Sequence, residues 1–143
     1  MNVLVLNCGN AWLKFAVVHS TNGHVHVQGM VTNLGTPEAA LEVSHEGKEE
    51  TRPMPGADVE VGLRAALALL RDVGLADRML GVGHRVLHGG AKFSGSILIT
   101  PEVVAKIREC IPLSPLHNPS NVRGIEIAQE LFPALPQVAV FDT

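Results

Sequence analysis

Residues 83–90 read Gly-His-Arg-Val-Leu-His-Gly-Gly, so charged, imidazole and aliphatic side chains precede a pair of glycines. On a strand, alternation places Arg85 and Leu87 on one face and His84 and His88 on the other. An arginine fork beside an aliphatic side chain suits a small carboxylate with an apolar tail. For the two histidines, hydrogen-bonded core positions are the favoured interpretation, because their spacing on a strand is poorly suited to sharing one metal ion.

Residues 7–14, Asn-Cys-Gly-Asn-Ala-Trp-Leu-Lys, form a predicted turn between two strands. Gly9 allows close approach of a ligand to the backbone, exposed amides in such a turn can bind phosphate, and Lys14 adds a positive charge. The same pattern also fits a plain hairpin turn with a solvated lysine. On these residues alone, the plain turn is the favoured interpretation.

His117 and Asp142 each stand beside a predicted element. His117 directly precedes a helix start at Asn118-Pro119, where an imidazole near the helix amides would help to bind phosphate. A cap at Asn118 with a solvated His117 is equally favoured. Asp142 follows an apolar strand, a position that suits a carboxylate orienting a metal-bound phosphoryl group and that ordinary turn residues also occupy.

The composition is that of a slightly acidic globular chain. Of the 143 residues, 46% are hydrophobic and 17% charged, and the mean hydropathy of +0.23 argues against disorder. A net charge of −3 and an aromatic content of 3% argue against a nucleic-acid-binding surface. The apolar start lacks a basic segment and soon meets polar residues, so we expect a cytoplasmic protein without membrane contact. Cys8 and Cys110 are then expected to stay reduced.

Hydrophobic patterning predicts a meander of strands followed by strands that alternate with helices. Residues 33–57, rich in glycine, proline and charge, are expected to be mostly loop, with a candidate strand at 41–43. A turn is predicted at Thr21-Asn22-Gly23. The other predicted strands cover residues 3–6, 13–18, 24–28, 79–87, 96–99 and 138–141.

Three helices are predicted from their capping signals and apolar faces. One is capped by Asp58 and runs to about Val73, and the others begin at Thr100-Pro101 and Asn118-Pro119. The predicted buried faces comprise Val59, Leu63, Ala66, Leu67 and Leu70; Val103, Val104, Ile107 and Ile111; and Val122, Ile125, Ala128 and Phe132. The chain is thus a mixed α/β unit, and ligands in open α/β sheets bind beyond the carboxyl ends of strands.

Taken in order along the chain, these segments resemble the acetate kinase family. The resemblance covers residues 1–143. These residues form one domain that matches only the amino-terminal part of the two-domain proteins of that family. It implies an actin-like ATPase fold of the ribonuclease H-like class, the acetate and sugar kinase type, with a mixed sheet and flanking helices. The matching motifs are Asn7-Cys8-Gly9, Lys14-Phe15, Gly83-His84-Arg85, His88-Gly89-Gly90, Pro115-Leu116-His117-Asn118-Pro119 and Phe141-Asp142-Thr143.

The resemblance also implies a role for each matching residue. Asn7 would bind the metal ion, and Asn10 and Lys14 would lie on the nucleotide side. Arg85 matches the arginine that holds the acyl substrate or the transferring phosphoryl group, and Asp142 matches the essential catalytic acid. Three further positions match the substrate site: Leu87 and Leu116 in the acyl pocket, and His117 near the phosphate.

The implied activity is reversible phosphate transfer from ATP to acetate, giving acetyl phosphate and ADP, with Mg²⁺ or Mn²⁺, in a homodimer. One alternative is a propionate or butyrate kinase, which the pocket around Leu87 and Leu116 would decide. Another is a catalytically inactive module that binds anions or serves assembly. Because phosphoryl transfer needs two lobes to hold the reactants together, we expect residues 1–143 alone to be inactive.

The chain departs from the family pattern in the first turn. The family has a run of three serines where this chain has Asn10-Ala11-Trp12, and a valine is more common at Leu87. Alanine and tryptophan cannot replace hydroxyl groups beside a phosphate. We expect the indole of Trp12 to turn away from the turn and to be buried among aliphatic side chains, because a large ring has no role beside an anion.

Overall fold

The structure, a computed structural model, describes residues 1–9, 11–86, 95–109 and 118–141. Within these residues the chain forms eight strands, three α-helices and one short 3₁₀ turn at Ala76–Arg78. The strands are β1 (Asn2–Cys8), β2 (Leu13–His19), β3 (Val25–Thr32), β4 (Ala40–His45), β5 (Lys48–Pro53), β6 (Met79–Val86), β7 (Gly95–Leu98) and β8 (Gln137–Phe141). The helices are α1 (Val59–Asp72), α2 (Pro101–Glu109) and α3 (Asn118–Leu131).

All described strands belong to one mixed sheet in the order β5-β4-β3-β2-β1-β6-β8-β7. The strands β1, β6 and β8 run parallel to one another, and the remaining pairs are antiparallel. Parallel strands end at the same edge of a sheet, so the carboxyl ends of β1, β6 and β8 meet there. That edge is where an open α/β sheet binds its ligands.

The described helices pack on one face of this sheet. On that side Leu4 and Leu6 of β1 join the core with α1, and Val86 of β6 and Ala139 of β8 join it with α2 and α3. We call this the covered face. The opposite side, the open face, is defined by Val3, Val5 and Asn7 of β1, Lys14 of β2, Arg85 of β6, and Val138 and Val140 of β8.

The three predicted helices are confirmed, and so are the caps Asp58 of α1 and Thr100 of α2. The Asp58 carboxylate accepts the Val61 N–H at 2.9 Å at the start of α1, and the Thr100 hydroxyl accepts the Val103 N–H at 3.2 Å at the start of α2. Gly74 beyond α1 has a φ of 81°, the left-handed conformation typical of a glycine after a helix. No helix in the described part of the chain has the length and apolar character needed to cross a membrane.

Within residues 33–57 the candidate strand at 41–43 is confirmed as part of β4, but the expectation that the rest of the segment is mostly loop missed β5. This segment contains β4 and β5, which form an antiparallel hairpin at the edge of the sheet. Glu46 and Gly47 both have positive φ, 49° and 81°, which is the two-residue turn that best fits a hairpin. Every residue of β5 is exposed, and its charged side chains are typical of an edge strand that must not pair further.

Candidate active site

Three predicted site residues project from neighbouring strands at the carboxyl edge of the open face. Asn7, near the end of β1, pairs directly with Lys14 of β2. In the parallel pair of β1 and β6, Leu6 lies beside His84, so the next residues along these strands are Asn7 and Arg85. The fold therefore brings an amide, an ammonium group and a guanidinium group to one edge of one face.

Two adjoining cavities of about 600 Å³ each follow the open face, and Val5 lines both. The first contains Asn7 and Lys14 together with polar side chains from β3, β4 and β5. The second contains Arg85 beside an aliphatic floor formed by Val3, Val5, Leu80, Val138 and Val140. A charged fork beside such a floor can bind a short carboxylate, with the oxygens on the guanidinium and the carbon atoms on the valines.

Trp12 closes the turn between β1 and β2. The Gly9 N–H donates to the Trp12 carbonyl at 2.8 Å. A Cβ atom built on Gly9 would lie 2.5 Å from Cε2 of the indole, so the ring is in direct contact with the glycine backbone. Nζ of Lys14 lies 5.1 Å from the centre of the Trp12 ring, within the range of a cation–π interaction.

The expectation that the indole of Trp12 turns away from the turn and is buried among aliphatic side chains is wrong. The residue is only half-buried, and its ring covers the turn. The physical reason is that Gly9 leaves a side-chain-free backbone surface on which a large ring can pack. The ammonium group of Lys14, two residues further along the chain, lies over this ring.

His84, beside Arg85 in sequence, has a structural position. It is 3% exposed on the covered face, and its Nε2 donates to Oε1 of Gln137 at 2.7 Å. Burial lowers the pKa of His84 to about 4, although the hydrogen bond that the imidazole makes to Gln137 opposes this shift. The interpretation of His84 as a hydrogen-bonded core histidine is confirmed, and Gln137 is a partner that the strand prediction, beginning at Val138, did not include.

The end of β1 is held in place from the covered face by α3. Nδ2 of Asn121 donates to the Cys8 carbonyl at 2.6 Å, and a Cβ atom on Gly124 would lie 2.6 Å from the Cys8 Sγ. Burial raises the pKa of the Cys8 thiol to about 12, so this thiol is not a nucleophile at neutral pH. Sequence reasoning missed Asn121, whose signal is a polar residue one turn before Ile125 on an apolar helix face.

The remaining predicted residues lie outside the described residues: Asn10, Leu87, His88, Cys110, Ile111, Leu116, His117 and Asp142. The roles predicted for Asn10, Leu87, Leu116, His117 and Asp142 stay predictions. In sequence, Asp142 is the residue that follows β8.

The described residues offer one ligand for a magnesium ion at this edge. In these ranges no group of three or more His, Cys, Asp or Glu side chains is placed to hold a metal ion. Asn7 supplies an amide oxygen, and Mg²⁺ in phosphoryl-transfer sites usually takes only one or two protein ligands beside phosphate oxygens and water. Asn7 therefore fits as one ligand of such an ion.

Comparison with solved structures supports the expected fold. A propionate kinase from Francisella tularensis matches with a TM-score of 0.94 at 35% identity, over 99% of this chain and 36% of that one. The acetate kinase of Porphyromonas gingivalis matches with a TM-score of 0.92 at 40% identity, over 99% of this chain and 37% of that one. The mixed sheet with flanking helices is thus the fold of acetate and propionate kinases, as the resemblance implied.

Sequence comparison gives the same assignment. An acetate kinase of Deinococcus radiodurans is 48% identical over 143 residues, which cover 100% of this chain and 36% of that protein. An acetate kinase of Dichelobacter nodosus is 46% identical over 142 residues. The chain spans about 36% of the length of these curated relatives. Since the profile of the acetokinase family matches residues 2–143, the chain belongs to the acetokinase family.

Proposed function

We propose that residues 1–143 are the amino-terminal domain of an enzyme that transfers phosphate reversibly between ATP and acetate. The observation that carries this proposal is the placement of Asn7, Lys14 and Arg85 on one face, at the edge of the sheet where β1 and β6 end and β2 begins, in a chain of the acetokinase family. The products of the forward reaction are acetyl phosphate and ADP.

The chemistry of this reaction asks for charge neutralisation rather than for a strong base. Acetate is ionised at neutral pH, so its oxygen can attack the terminal phosphorus of ATP without losing a proton. The barrier then depends on bringing two anions together and on stabilising the charge of the transferring phosphoryl oxygens. Arg85 meets both needs, because its planar fork can bind a carboxylate or a phosphoryl group through two hydrogen bonds.

The cofactor of this proposal is Mg²⁺ or Mn²⁺. Asn7 and Asp142 are the residues we assign to it, with Asp142 holding the ion or its waters rather than accepting a proton. When bound, the ion would neutralise charge on the phosphate oxygens. Lys14 and Asn10 are assigned to the nucleotide side. Leu87, Leu116 and His117 complete the proposed substrate site.

A longer acyl substrate is the second candidate, and the aliphatic floor beside Arg85 favours it. Val3, Val5, Val138 and Val140 line a cavity of about 600 Å³, which is larger than a methyl group requires. One of the similar structures is a propionate kinase. Propionate and butyrate add one and two methylene groups to acetate, and each changes binding in an apolar pocket by about 1 kcal/mol.

We further propose that the chain is inactive alone and belongs to a cytoplasmic homodimer. The open face is in contact with solvent over Val5 and Val140, which are 40% and 43% exposed. Phosphoryl transfer in a site so open to water would compete with hydrolysis. A second lobe over this face would exclude water and supply the rest of the nucleotide site.

The proposed function is tested with a chimera that joins residues 1–143 to the remaining part of the Deinococcus radiodurans acetate kinase. Acyl phosphate formation is measured as hydroxamate, with ATP and Mg²⁺ and with acetate, propionate or butyrate. We expect turnover with acetate by the chimera and none by residues 1–143 alone. Higher kcat/KM for propionate would establish the second candidate. A folded chimera that is inactive with all three substrates would contradict kinase function and favour an inactive anion-binding or assembly module.

A further inference from the structure

A single peptide unit at the end of β1 is held on both of its sides. Its carbonyl group belongs to Cys8 and accepts a hydrogen bond from Nδ2 of Asn121 at 2.6 Å. Its N–H group belongs to Gly9 and donates to the Trp12 carbonyl at 2.8 Å. Because a peptide unit is planar, the two bonds together determine the direction of both groups. The orientation of this unit is therefore set jointly by α3 and by the turn after β1.

This peptide unit stands between residues that we assign to the metal ion and to the nucleotide. Asn7 precedes it on β1, and Asn10 follows it in sequence. A site that works by neutralising charge gains most when its ligands and donors are already in place, because they then need no reorganisation during the reaction. A rotated peptide unit would redirect the chain on both sides and disturb this arrangement.

The close approach of α3 to this unit depends on Gly124. A Cβ atom on Gly124 would lie 2.6 Å from the Sγ atom of Cys8, which is too close for two atoms in contact. The thiol keeps its proton at neutral pH, because burial raises its pKa to about 12, and it packs here as a small apolar group. Asn121 is three residues before Gly124, so both face the same side of the helix. Together they hold the carbonyl group and the side chain of Cys8.

Burial prevents water from replacing Asn121 as the donor. Asn121 is 5% exposed and Cys8 is 3% exposed. A buried carbonyl without a partner costs free energy, so loss of the amide would leave this group unpaired or make it rotate toward another donor. Either response loosens the peptide unit.

The helix that carries Asn121 is also anchored beside Arg85. Val122 and Ile125 of α3 share a buried cluster with Val86 of β6 and Ala139 of β8. Val86 directly follows Arg85 in the chain. The helix α3 therefore holds the end of β1 in a fixed place relative to the strand that carries the arginine.

We propose that Asn121 is a positioning residue for phosphoryl transfer, acting through the Cys8 carbonyl on Asn7 and on the turn after β1. This inference rests on the function proposed above. Asn121 acts from the covered face, whereas Asn7 lies on the open face. Loss of its amide should therefore lower kcat and raise the requirement for Mg²⁺. The KM for acetate should stay unchanged, because Arg85 lies on β6.

The first arm of the test measures orientation without activity. Amide hydrogen exchange of the 143-residue chain is followed by NMR, with and without Asn121→Leu, which removes the donor and keeps a side chain of similar size. The Gly9 N–H should exchange about tenfold faster or more in the variant, since its peptide unit loses one of two restraints. The control is the Met54 N–H, which donates to the Ala39 carbonyl at 2.8 Å beside the edge strand β5. Its exchange should stay unchanged.

The second arm measures kinetics in the chimera described above. Asn121→Leu should lower kcat about tenfold or more and raise the Mg²⁺ concentration for half-maximal activity about threefold or more. The KM for acetate should change less than about twofold. Ile125→Val is the matched control, because it removes one buried methylene group from the same helix within the cluster beside β6 and β8. It should keep the kinetics of the unsubstituted chimera.

A rescue experiment separates positioning from damage to the helix. Gly124→Ala should act in the same direction as Asn121→Leu, because its methyl group would displace the Cys8 side chain. Alanine is the better helix former, so a weakened helix would not explain this loss. Combining Gly124→Ala with Cys8→Ala removes the sulfur atom and should restore kcat to within about threefold of the unsubstituted chimera.

The outcomes separate this inference from the proposed function. Faster exchange at Gly9 alone, with lower kcat and an unchanged KM for acetate, would support the proposal. An active chimera in which Asn121→Leu keeps both kcat and the Mg²⁺ requirement would overturn it and leave the proposed function standing. Equal acceleration at Gly9 and Met54 would also overturn it, because it shows general destabilisation. A folded unsubstituted chimera without activity would remove the proposed function and this inference with it.

The glycine variants keep the test decisive if Asn121→Leu does not fold. Loss of kcat in Gly124→Ala with recovery in the double variant would then support the proposal. Full activity of Gly124→Ala, or a folded double variant without recovery, would overturn it.

Discussion

The two faces of the sheet use alternate residues of the same strands for different purposes. In β1, Leu4 and Leu6 point into the helix-covered core and are 0% and 1% exposed. Between and after them, Val5 and Asn7 point to the open face, where Val5 is 40% exposed. A strand with this pattern carries stability on one side and leaves the other side available for binding.

The contrast is sharpest in β6, where His84 and Arg85 are consecutive. His84 is buried on the covered face with a pKa lowered to about 4, and it is held by Gln137. Arg85 is exposed on the open face, at the edge that also carries Asn7. Two polar residues that look equally functional in sequence thus divide into one that supports the fold and one that we assign to the reaction.

The largest effect on stability is expected from the covered face of β1. Leu4→Ala should lower the free energy of unfolding by about 3–4 kcal/mol, because it deletes buried carbon and leaves a cavity. The neighbouring Val5→Ala should cost less than about 1 kcal/mol, since Val5 is already partly exposed. Urea unfolding of residues 1–143 measures both. Equal losses for the two variants would contradict the division between the faces.

A smaller effect is expected from the pH dependence of His84. Its pKa is lowered from 6.5 to about 4 in the fold, so between these values the unfolded chain binds a proton that the folded chain does not. Stability should therefore fall as the pH drops, by about 2 kcal/mol between pH 7 and pH 5. Urea unfolding at both values checks this.

The control for that measurement is His84→Gln, which keeps a hydrogen-bonding side chain and cannot titrate in this range. Subtracting the pH dependence of the variant from that of the unsubstituted chain isolates His84 from the carboxylates. If the two proteins lose the same free energy between pH 7 and pH 5, then His84 is not the buried neutral group described here.

The smallest effect is expected from the contact between Trp12 and Lys14. In the chimera, Trp12→Leu should raise the KM for ATP about two- to fivefold, because a cation–π interaction of about 0.5–1 kcal/mol no longer positions the ammonium group. The KM for acetate should stay unchanged, since Arg85 lies on β6 and not in this turn. Equal changes in both KM values would indicate that Trp12 acts by general disturbance of the fold.

The sequence predicted correctly those elements whose formation depends on residues close together in the chain. Asp58 and Thr100 act as helix caps where their sequence context indicated, because capping depends on residues within one turn. The strand β5 was missed, because its charged residues carry no hydrophobic period and it forms only by pairing with β4. Its one sequence signal was the Glu-Gly pair at residues 46–47, a hairpin turn inside a segment that read as loop.

The candidate site was predictable in part. The family resemblance selected Asn7, Lys14 and Arg85, and the alternation of β6 placed Arg85 opposite His84. Asn121 is distant in sequence from its partner Cys8, so only the packing of α3 on β1 shows the contact. The prediction for the Trp12 ring was wrong because it also depends on a contact made only in the folded chain: the backbone surface of Gly9 on which the ring packs is formed by the turn.

The most direct test of the central claim, that the open face at the carboxyl edge performs phosphoryl transfer, is the activity of Arg85→Ala in the chimera. Arg78→Ala is the matched control, an exposed arginine beyond the opposite end of β6. Arg85→Ala should lower kcat/KM for acetate by about a hundredfold or more, about 3 kcal/mol, with unfolding unchanged and with Arg78→Ala fully active. A loss below about threefold would contradict the claim.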